Sequence, residues 1–378
     1  MTKIIHISDL HLGKRMNEFS LISDQKYILD EILDIINKEQ PSALLICGDI
    51  YDKKTPSEEA VTLFDGFLNK LSELNLQTFI ISGNHDSADR MAFGRHFMEK
   101  SRIYISGGAE NIKGIPLDSD PNVVIYGLPF VTPANIRSVY PEAQIGSYTD
   151  AVREAISHID IDASKTNILL SHQFVTQGCQ SDNDITVGTL ENVDCSVFKA
   201  FDYVALGHIH RPYFADTEKK IRYCGSPLKY SRSEIDNRKS LSIIEIEGKS
   251  IGLREVPLLP LHDVQELKGK FETLMSRDYY SGVDTDNYYF VVLTDEEFIA
   301  DVPSKIRTVY PNILSVEYRN TKTAAAEHAV LPTVSNASPF EQFAKFFSIR
   351  SGGELTEEQA EYARQLFEEL EKEDENGI

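Results

Sequence analysis

The sequence predicts a layered α/β protein that carries a smaller α+β unit and C-terminal helices. Strand and helix patterns alternate from residue 3 to about residue 170, as in layered α/β domains. Several buried strand patterns end in Asp, Asn or His, where open α/β sheets build their sites. The chain has 378 residues, of which 41% are hydrophobic. This length and composition allow a sizeable core and two or three domains.

The alternation begins with a strand at residues 3–8 and a helix at about 23–38, whose apolar residues recur at helical spacing. A second strand at 43–47 precedes a helix predicted at 55–74. Its start, Thr55-Pro56-Ser57-Glu58, offers a cap, a proline in the first turn and an acidic residue. A third strand follows at 78–82. The later predictions are a helix at 150–158 and strands at 123–126, 167–170, 203–206, 222–224, 241–246 and 251–256.

Charge, apolar runs and cysteine content bear on the partner and the cellular location of the protein. The net charge of −21 argues by itself against a nucleic-acid partner, which prefers a basic footprint. Basic residues nevertheless gather near the polar strand ends: Lys14, Arg15, Lys53, Lys54, Arg90, Arg211, Lys229 and Arg232. No apolar run reaches the ~18 residues that a membrane span needs. The four scattered cysteines form no CxxC pair, which predicts a reducing, cytoplasmic location.

Five of the predicted strands end in side chains that can bind metal ions. These residues are Asp9 and His11, Asp49, Asn84, His172, and His208 with His210. Each alone has an ordinary explanation as a cap, a turn residue or a core histidine, but five coincidences together favour a site. Oxygen and imidazole donors without thiolate suit Mn²⁺, Fe²⁺ or Zn²⁺. Seven candidate ligands suffice for two metal ions that share one carboxylate. Two metal ions ~3.5–4 Å apart can clamp a phosphoryl group and activate water. The predicted reaction is phosphoryl-ester hydrolysis.

The same residues carry a resemblance. Asp-x-His, Gly-Asp-x-x-Asp, Gly-Asn-His-Asp, a single His and Gly-His-x-His, in this order, resemble the calcineurin-like metallophosphoesterase superfamily. The resemblance implies an α/β/β/α sandwich in which Asp9, His11, Asp49 and His210 hold one metal ion. It gives the second ion to Asp49, Asn84, His172 and His208, so that Asp49 bridges. It also implies that His85 faces the phosphate as a proton donor or transition-state stabiliser.

Residues 8–13, 172–175, 201–212 and 225–231 resemble one branch, the SbcD family of bacterial nuclease subunits. This resemblance implies a homodimeric, Mn²⁺-dependent DNA nuclease that acts with an SbcC-type ATPase. It further implies exonuclease action on double-stranded ends and endonuclease action on single-stranded DNA or hairpins, in repair and recombination. Two alternatives stay open: a phosphodiesterase on small or cyclic nucleotides, and a scaffold with an inactive site. The filled ligand positions count against the scaffold.

Four segments are predicted: a nuclease domain at 1–258, a capping domain at 259–320, a linker at 321–337 and partner-binding helices at 338–378. In the capping domain we predict helices at 264–274 and 302–309 and strands at 288–293 and 313–318. The resemblance implies that it helps hold duplex DNA, and a folded appendage without contacts is the alternative. Two amphipathic helices are expected after the linker, with Phe343, Phe346, Phe347 and Phe367 at helical spacing. They either dock on the ATPase or fold back on the chain.

Overall fold

The computed structural model describes residues 1–110, 112–176, 191–321, 339–351 and 354–375. The chain divides into two compact units, Met1–Asp263 and Val264–Ile378. No helix in the described part of the chain combines the length and the apolar character that a membrane span requires.

The strands of the first unit, in chain order, are β1 (Thr2–Ile7), β2 (Arg15–Met16), β3 (Phe19–Ser20), β4 (Ala43–Cys47), β5 (Gln77–Ile81), β6 (Ile103–Ser106), β7 (Ile115–Pro116), β8 (Val123–Leu128), β9 (Thr166–His172), β10 (Val175–Thr176), β11 (Val193–Asp194), β12 (Tyr203–Gly207), β13 (Tyr213–Phe214), β14 (Ile221–Tyr223), β15 (Ser240–Glu247) and β16 (Ser250–Pro257). Its helices are α1 (Ile22–Glu39), α2 (Glu58–Glu73), α3 (Ala88–Met91), α4 (Arg95–Met98), α5 (Pro133–Val139) and α6 (Tyr148–Ser157).

Two six-stranded sheets form the centre of the first unit, in the orders β16-β15-β1-β4-β5-β6 and β13-β14-β12-β9-β8-β7. Strands β1, β4, β5 and β6 run parallel, as do β8, β9, β12 and β14. One apolar cluster joins the facing sides of the sheets, with Leu45 and Phe79 from the first sheet and Ile125, Leu170 and Ala205 from the second. The parallel strands therefore bring the chain's strand ends together at one edge of a double sheet.

Helices cover the outer faces of both sheets. Val152 and Ile156 of α6 pack with Leu169 and Leu206 of the second sheet in a separate apolar cluster. On the other side, α1 and α2 each bury one apolar stripe. The α/β/β/α layering confirms the predicted fold class.

Most of the predicted elements of the first unit are present within one or two residues of their expected bounds, but the start of α2 was predicted wrongly. The N-cap is Ser57, whose hydroxyl accepts a hydrogen bond from the Ala60 N–H. Thr55 and Pro56 precede the helix. Because the cap needs extended backbone and a hydroxyl facing the first turn, Ser57 meets the requirement with φ −71° and ψ 157°.

The second unit holds the strands β17 (Val264–Gly269), β18 (Tyr288–Leu293) and β19 (Ile313–Tyr318) and the helices α7 (Phe271–Leu274), α8 (Arg277–Tyr280), α9 (Val302–Arg307), α10 (Pro339–Ser351) and α11 (Glu357–Glu375). The three strands form one parallel sheet in the order β17-β18-β19. Its core includes Leu267, Tyr289, Val291 and Ile306.

The helix predicted at 264–274 is wrong, because its first part is strand β17. Val264, Leu267, Phe271 and Leu274 recur at helical spacing, which misled the prediction. In the structure the segment pairs with β18 from Val264 opposite Tyr288 to Gly269 opposite Leu293, and only then forms α7. Pairing with a buried neighbouring strand outweighs the local pattern.

The predicted C-terminal helices are present as α10 and α11. The Thr356 hydroxyl accepts from the Gln359 N–H, and the Gln359 side chain accepts from the Thr356 N–H. These two hydrogen bonds form a capping box at the start of α11. Phe343 of α10 contacts Phe367 of α11, with ring centroids 5.7 Å apart. The predicted linker at 321–337 lies, apart from Thr321, outside the described residues.

Candidate metal centre

The carboxyl ends of five strands meet at one edge of the double sheet. The loops after β1, β4 and β5 carry Asp9, His11, Asp49, Asn84 and His85. His172 ends β9, and His208 and His210 follow β12. Because Gly207 pairs with His172 across β12 and β9, the two histidine segments are neighbours. The structure thus brings all eight predicted site residues to one place.

Several of these residues lie in the left-handed backbone region. Asp9, His11 and Asp49 have φ of 54°, 45° and 50°, a conformation that costs about 1–3 kcal/mol for a residue with a side chain. Hydrogen bonds between loops hold it: the Asp9 N–H donates to the Gly48 carbonyl at 3.0 Å and the His11 N–H to the Asp49 carbonyl at 2.9 Å. The loops therefore present their side chains in a fixed direction.

Asp86 ties the loop after β4 to the loop after β5. Its buried carboxylate accepts from the backbone N–H groups of Ile50, Tyr51 and Gly83 at 3.0, 2.9 and 2.9 Å. Gly83 lies so close to Asp49 that a Cβ there would meet its Oδ1 at 2.1 Å. Asp86 belongs to the Gly-Asn-His-Asp motif, but its role in joining the loops could not be read from the sequence.

The first group of candidate ligands is Asp9, His11, Asp49 and His210. The Nε2 atoms of His11 and His210 are 3.1 Å apart, and His11 Nε2 is 3.6 Å from Asp49 Oδ2. One ligand atom each of Asp9, His11 and His210 lies within 4.8 Å of the other two. Nitrogen and oxygen donors at these separations fit a single cation.

The second group is Asp49, Asn84, His172 and His208. Asn84 Oδ1 lies 3.1 Å from both His172 Nε2 and His208 Nδ1. The same Oδ2 of Asp49 that faces His11 is 3.4 Å from His172 Nε2. Asp49 therefore stands between the two groups, as the predicted bridging ligand must.

Burial and neighbouring charges shift the pKa values of these groups in both directions. Burial lowers the pKa of His11 to about 3 and that of His208 to about 4, which keeps their ring lone pairs free at neutral pH. Burial opposes the charged form of Asp49, but the neighbouring His172 and His11 outweigh it and hold the pKa of this carboxyl low. Burial likewise disfavours charge on His172, yet Asp49 raises its pKa to about 9. A metal ion and a proton thus compete for His172.

Two observations show that the residues fit divalent ions. The Nδ1–H of His172 donates to the Cys47 carbonyl at 2.7 Å, which leaves Nε2 as the ring nitrogen that faces Asn84 and Asp49. His11 Nδ1 is buried without a hydrogen-bond partner among the described residues, whereas its Nε2 faces Asp49 and His210, so Nε2 is the atom placed to bind a cation. The complete set, with oxygen donors, imidazoles and no thiolate, matches the preference of Mn²⁺, Fe²⁺ or Zn²⁺.

His85 lies beside the first group. Its backbone N–H donates to Asp49 Oδ1 at 2.9 Å, and its Nδ1–H donates to the Asp52 carbonyl at 2.9 Å. Its ring stands edge-on to His11, with centroids 4.9 Å apart. Asp52 also pairs with Lys14 at 2.8 Å. The Nδ1 contact leaves Nε2 as the nitrogen that can exchange a proton with a substrate.

The sequence did not reveal Glu234, which contacts a candidate ligand. Its Oε1 accepts from His210 Nδ1–H at 3.0 Å, and its Oε2 accepts from Lys239 at 2.6 Å. Burial would raise its pKa, but His210 and Lys239 outweigh burial and lower the pKa to about 2. Glu234 lies 24 positions after His210 and outside every motif, so no local pattern could have identified it.

Two family models match this chain, one in its N-terminal part and one in its C-terminal part. Residues 2–212 match the calcineurin-like phosphoesterase model, and residues 260–350 match the type 5 capsule protein repressor C-terminal domain model. The chain is 37% identical over 321 residues to the D subunit of the nuclease SbcCD from Staphylococcus epidermidis, covering 83% of this chain and 84% of that protein.

Two solved structures show more distant similarity. A Thermus thermophilus protein has a TM-score of 0.39 at 11% identity, covering 67% of this chain and 98% of its own. A dimetal phosphatase from Danio rerio has a TM-score of 0.43 at 10% identity, covering 67% and 95%. The sequence matches alone decide the family: the chain belongs to the SbcD family of calcineurin-like phosphoesterases.

Proposed function

We propose that this protein is a two-metal DNA nuclease subunit. With an SbcC-type ATPase it hydrolyses DNA phosphodiester bonds, as an exonuclease on duplex ends and an endonuclease on single strands and hairpins. We place this activity in double-strand-break repair, recombination and replication. The observation that carries the proposal is the pair of ligand groups that share Asp49, with His85 beside them. The name of the Staphylococcus epidermidis relative, which is that of a nuclease component, supports it.

Each residue of the centre has a proposed task. Asp9, His11, Asp49 and His210 would hold one Mn²⁺ ion, and Asp49, Asn84, His172 and His208 the other. Such ions, when bound, neutralise phosphoryl charge and activate water. His85 keeps Nδ1–H on the Asp52 carbonyl, so Nε2 is the nitrogen that, when the ring is doubly protonated, gives a proton to the leaving oxygen or stabilises the transition state.

Exposed basic residues beside the centre support a DNA substrate despite the net charge of −21. Lys53 and Lys54 follow the Asp49 loop directly, and Arg211 follows His210, and all three are exposed. Phosphate contacts release counterions, so affinity for DNA should fall steeply as salt rises.

The nuclease assay should use linear duplex, hairpin and cyclic-nucleotide substrates, each with Mn²⁺ and with EDTA. Mn²⁺-dependent cleavage of hairpin DNA, with binding that weakens across a salt series, is the expected result. Cleavage of cyclic nucleotides alone, or affinity that does not change with salt, would favour the small-nucleotide phosphodiesterase instead.

The C-terminal segment is proposed to bind the ATPase. We assign residues 1–258 to the nuclease domain, 259–320 to the capping domain, 321–337 to the linker and 338–378 to the partner-binding helices. On α10 and α11, Phe346, Tyr362 and Leu366 remain 48%, 65% and 43% exposed. Apolar side chains exposed on two paired amphipathic helices favour docking on a second surface.

Deleting residues 338–378 tests this assignment. The shortened chain should keep Mn²⁺-dependent cleavage of single-stranded DNA, because every candidate ligand precedes Arg211. It should no longer co-purify with the ATPase or show ATP-stimulated cutting of duplex ends. Full-strength capture of the ATPase by the shortened chain would exclude these helices as the docking site. Aggregation or loss of metal-dependent cleavage would show that they pack on their own chain.

A homodimer through helices of the first half is also proposed. Phe93 lies between the short helices α3 and α4 and is 85% exposed, and Phe97 lies in α4 and is 77% exposed. Val61 of α2 is 44% exposed. Contiguous exposed apolar patches mark interaction surfaces, and we propose that Phe93 and Phe97 belong to such a patch. In analytical ultracentrifugation Phe93→Asp/Phe97→Asp should shift the protein to a monomer. Phe298→Asp, at a residue 84% exposed in the second unit, is the matched control and should stay dimeric.

A cytoplasmic location completes the proposal. The three cysteines in the described residues, Cys47, Cys195 and Cys224, are free thiols. Free thiols are typical of reducing compartments.

A further inference from the structure

We propose that Glu234 is a positioning residue that fixes the tautomer and ring orientation of His210. It thereby tightens the metal site formed by Asp9, His11, Asp49 and His210. This inference rests on the proposed two-metal function and deepens it.

The geometry selects one tautomer of His210. Glu234 ends a 3₁₀ turn (Arg232–Glu234) and is only 5% exposed. A carboxylate only accepts, so His210 Nδ1, 3.0 Å from Oε1, must carry the proton. In the neutral ring Nε2 then carries no hydrogen, and Nε2 is the atom that lies 3.1 Å from His11 Nε2. The donor atom of His210 therefore faces the proposed metal ion.

Lys239 completes the arrangement from the other side. Its Nζ donates to Glu234 Oε2 at 2.6 Å, to the Ser226 hydroxyl at 2.8 Å and to the His210 carbonyl at 2.9 Å. The Ser231 hydroxyl donates to Glu234 Oε1 at 2.9 Å. Lys239 thus holds both the carboxylate and the backbone of His210. A buried ion pair adds little stability over apolar side chains of similar size, so stability alone does not explain its position.

The two proposed metal sites differ in how their histidines are held. In the second group the Nδ1–H of His172 is held by the neutral Cys47 carbonyl. Among the described residues, Glu234 is the carboxylate that holds His210 from behind. A carboxylate behind a metal-binding imidazole raises its basicity as well as orienting it. Loss of Glu234 should therefore weaken one metal site and leave the other unchanged.

Glu234→Gln is the informative substitution because Lys239 can only donate. The amide oxygen of the glutamine will turn toward Lys239, which leaves the NH₂ group facing His210 Nδ1. The proton of His210 then moves to Nε2, where it blocks the donor atom. In Glu234→Gln/Lys239→Met the amide oxygen is free to accept from Nδ1–H again, so the original tautomer should return.

Two measurements test this without nuclease activity: calorimetric titration with Mn²⁺, and ¹⁵N NMR of the histidine rings in metal-free protein. Glu234→Gln should weaken one of two binding events about 10–100-fold and show His210 protonated at Nε2. Glu234→Gln/Lys239→Met should recover both readings. Glu39→Gln is the matched control, since Glu39 pairs with Lys3 and Arg254 and contacts no candidate ligand. It should bind Mn²⁺ like the wild type.

Wild-type affinity and tautomer in Glu234→Gln would overturn the proposal, and so would a double variant as weak as Glu234→Gln. If Glu234→Gln does not fold, Glu234→Leu/Lys239→Met replaces the pair by apolar side chains. It should show the same selective weakening, and unchanged affinity in this variant would overturn the proposal. A wild-type chain that binds fewer than two ions would contradict the proposed two-metal function itself.

Discussion

Replacing Gly207 by alanine tests how closely the two sheets must approach at the metal centre. A Cβ at Gly207 would lie 2.0 Å from the Cys47 carbonyl oxygen and 2.6 Å from His172 Nδ1, where ordinary contacts begin at 3.4 Å. The strands must therefore separate by about 1.4 Å, which is 3.4 minus 2.0. That movement also breaks the 2.7 Å hydrogen bond from His172 Nδ1–H to the Cys47 carbonyl.

The expected loss of stability follows from these two effects. Overpacking a filled interior costs about 1–3 kcal/mol, and leaving a buried hydrogen-bonding group unpaired costs about 1–3 kcal/mol. The free energy of unfolding should fall by about 2–6 kcal/mol, the sum of the two. For a domain of this size the melting temperature should drop by roughly 4–24 °C.

Thermal melting and calorimetric Mn²⁺ titration measure the two consequences. Gly207→Ala should melt earlier and bind Mn²⁺ more weakly, since His172 loses its orientation. Gly66→Ala is the matched control: Gly66 lies within α2 with nothing within 4 Å of an added Cβ, so it should gain about 0.5–1 kcal/mol. If the two variants melt and bind alike, the close approach of the sheets is not needed.

Three further predictions concern His85, Asp49 and Glu39. His85→Gln should keep both Mn²⁺ ions in calorimetry but lose about 10²–10⁴-fold in hairpin cleavage; loss of metal would place His85 among the ligands. Asp49→Ala should bind fewer than two ions and lose hydrolysis, and two normally bound ions would rule out bridging. Hydrogen bonds from Arg254 and Lys3 lower the pKa of Glu39 to about 2, below its ordinary value, so its ionised form stabilises the fold. That stability is present above about pH 4.5 and is lost as the pH falls toward 2. Glu39→Gln should therefore flatten the acid side of a melting-temperature profile, and an unchanged profile would contradict the pairing.

The parts of the centre that the sequence predicted are those encoded within a few residues. Asp9, Asn84 and His208 follow apolar strands, and parallel strands bring such ends to one edge. The sequence did not identify Glu234 as part of the site, because its contact with His210 depends on a turn that the tertiary fold positions. The left-handed backbone of His11 could not be predicted either, since hydrogen bonds from another loop impose it.

The second unit shows the opposite error. The local spacing of apolar residues predicted a helix at 264–274, but pairing with a neighbouring strand makes the first part of this segment a strand. The spacing of Val264 and Leu267 suits a helix, yet both side chains are buried in a strand that pairs with β18. Gly269, which ends this strand, was the available signal, because glycine disfavours a helix interior.

The division of the ligands between the two sheets has a consequence for folding kinetics. His11 and His210 are 199 positions apart, and they meet only after both sheets have formed and docked. Closing so long a loop costs conformational entropy before the contact repays it, so we expect the site to be incomplete in the folding transition state. Bound Mn²⁺ should therefore leave the folding rate unchanged and slow unfolding. A metal-loaded chain would resist heat and proteases longer because it opens less often, with no gain in the speed at which it folds.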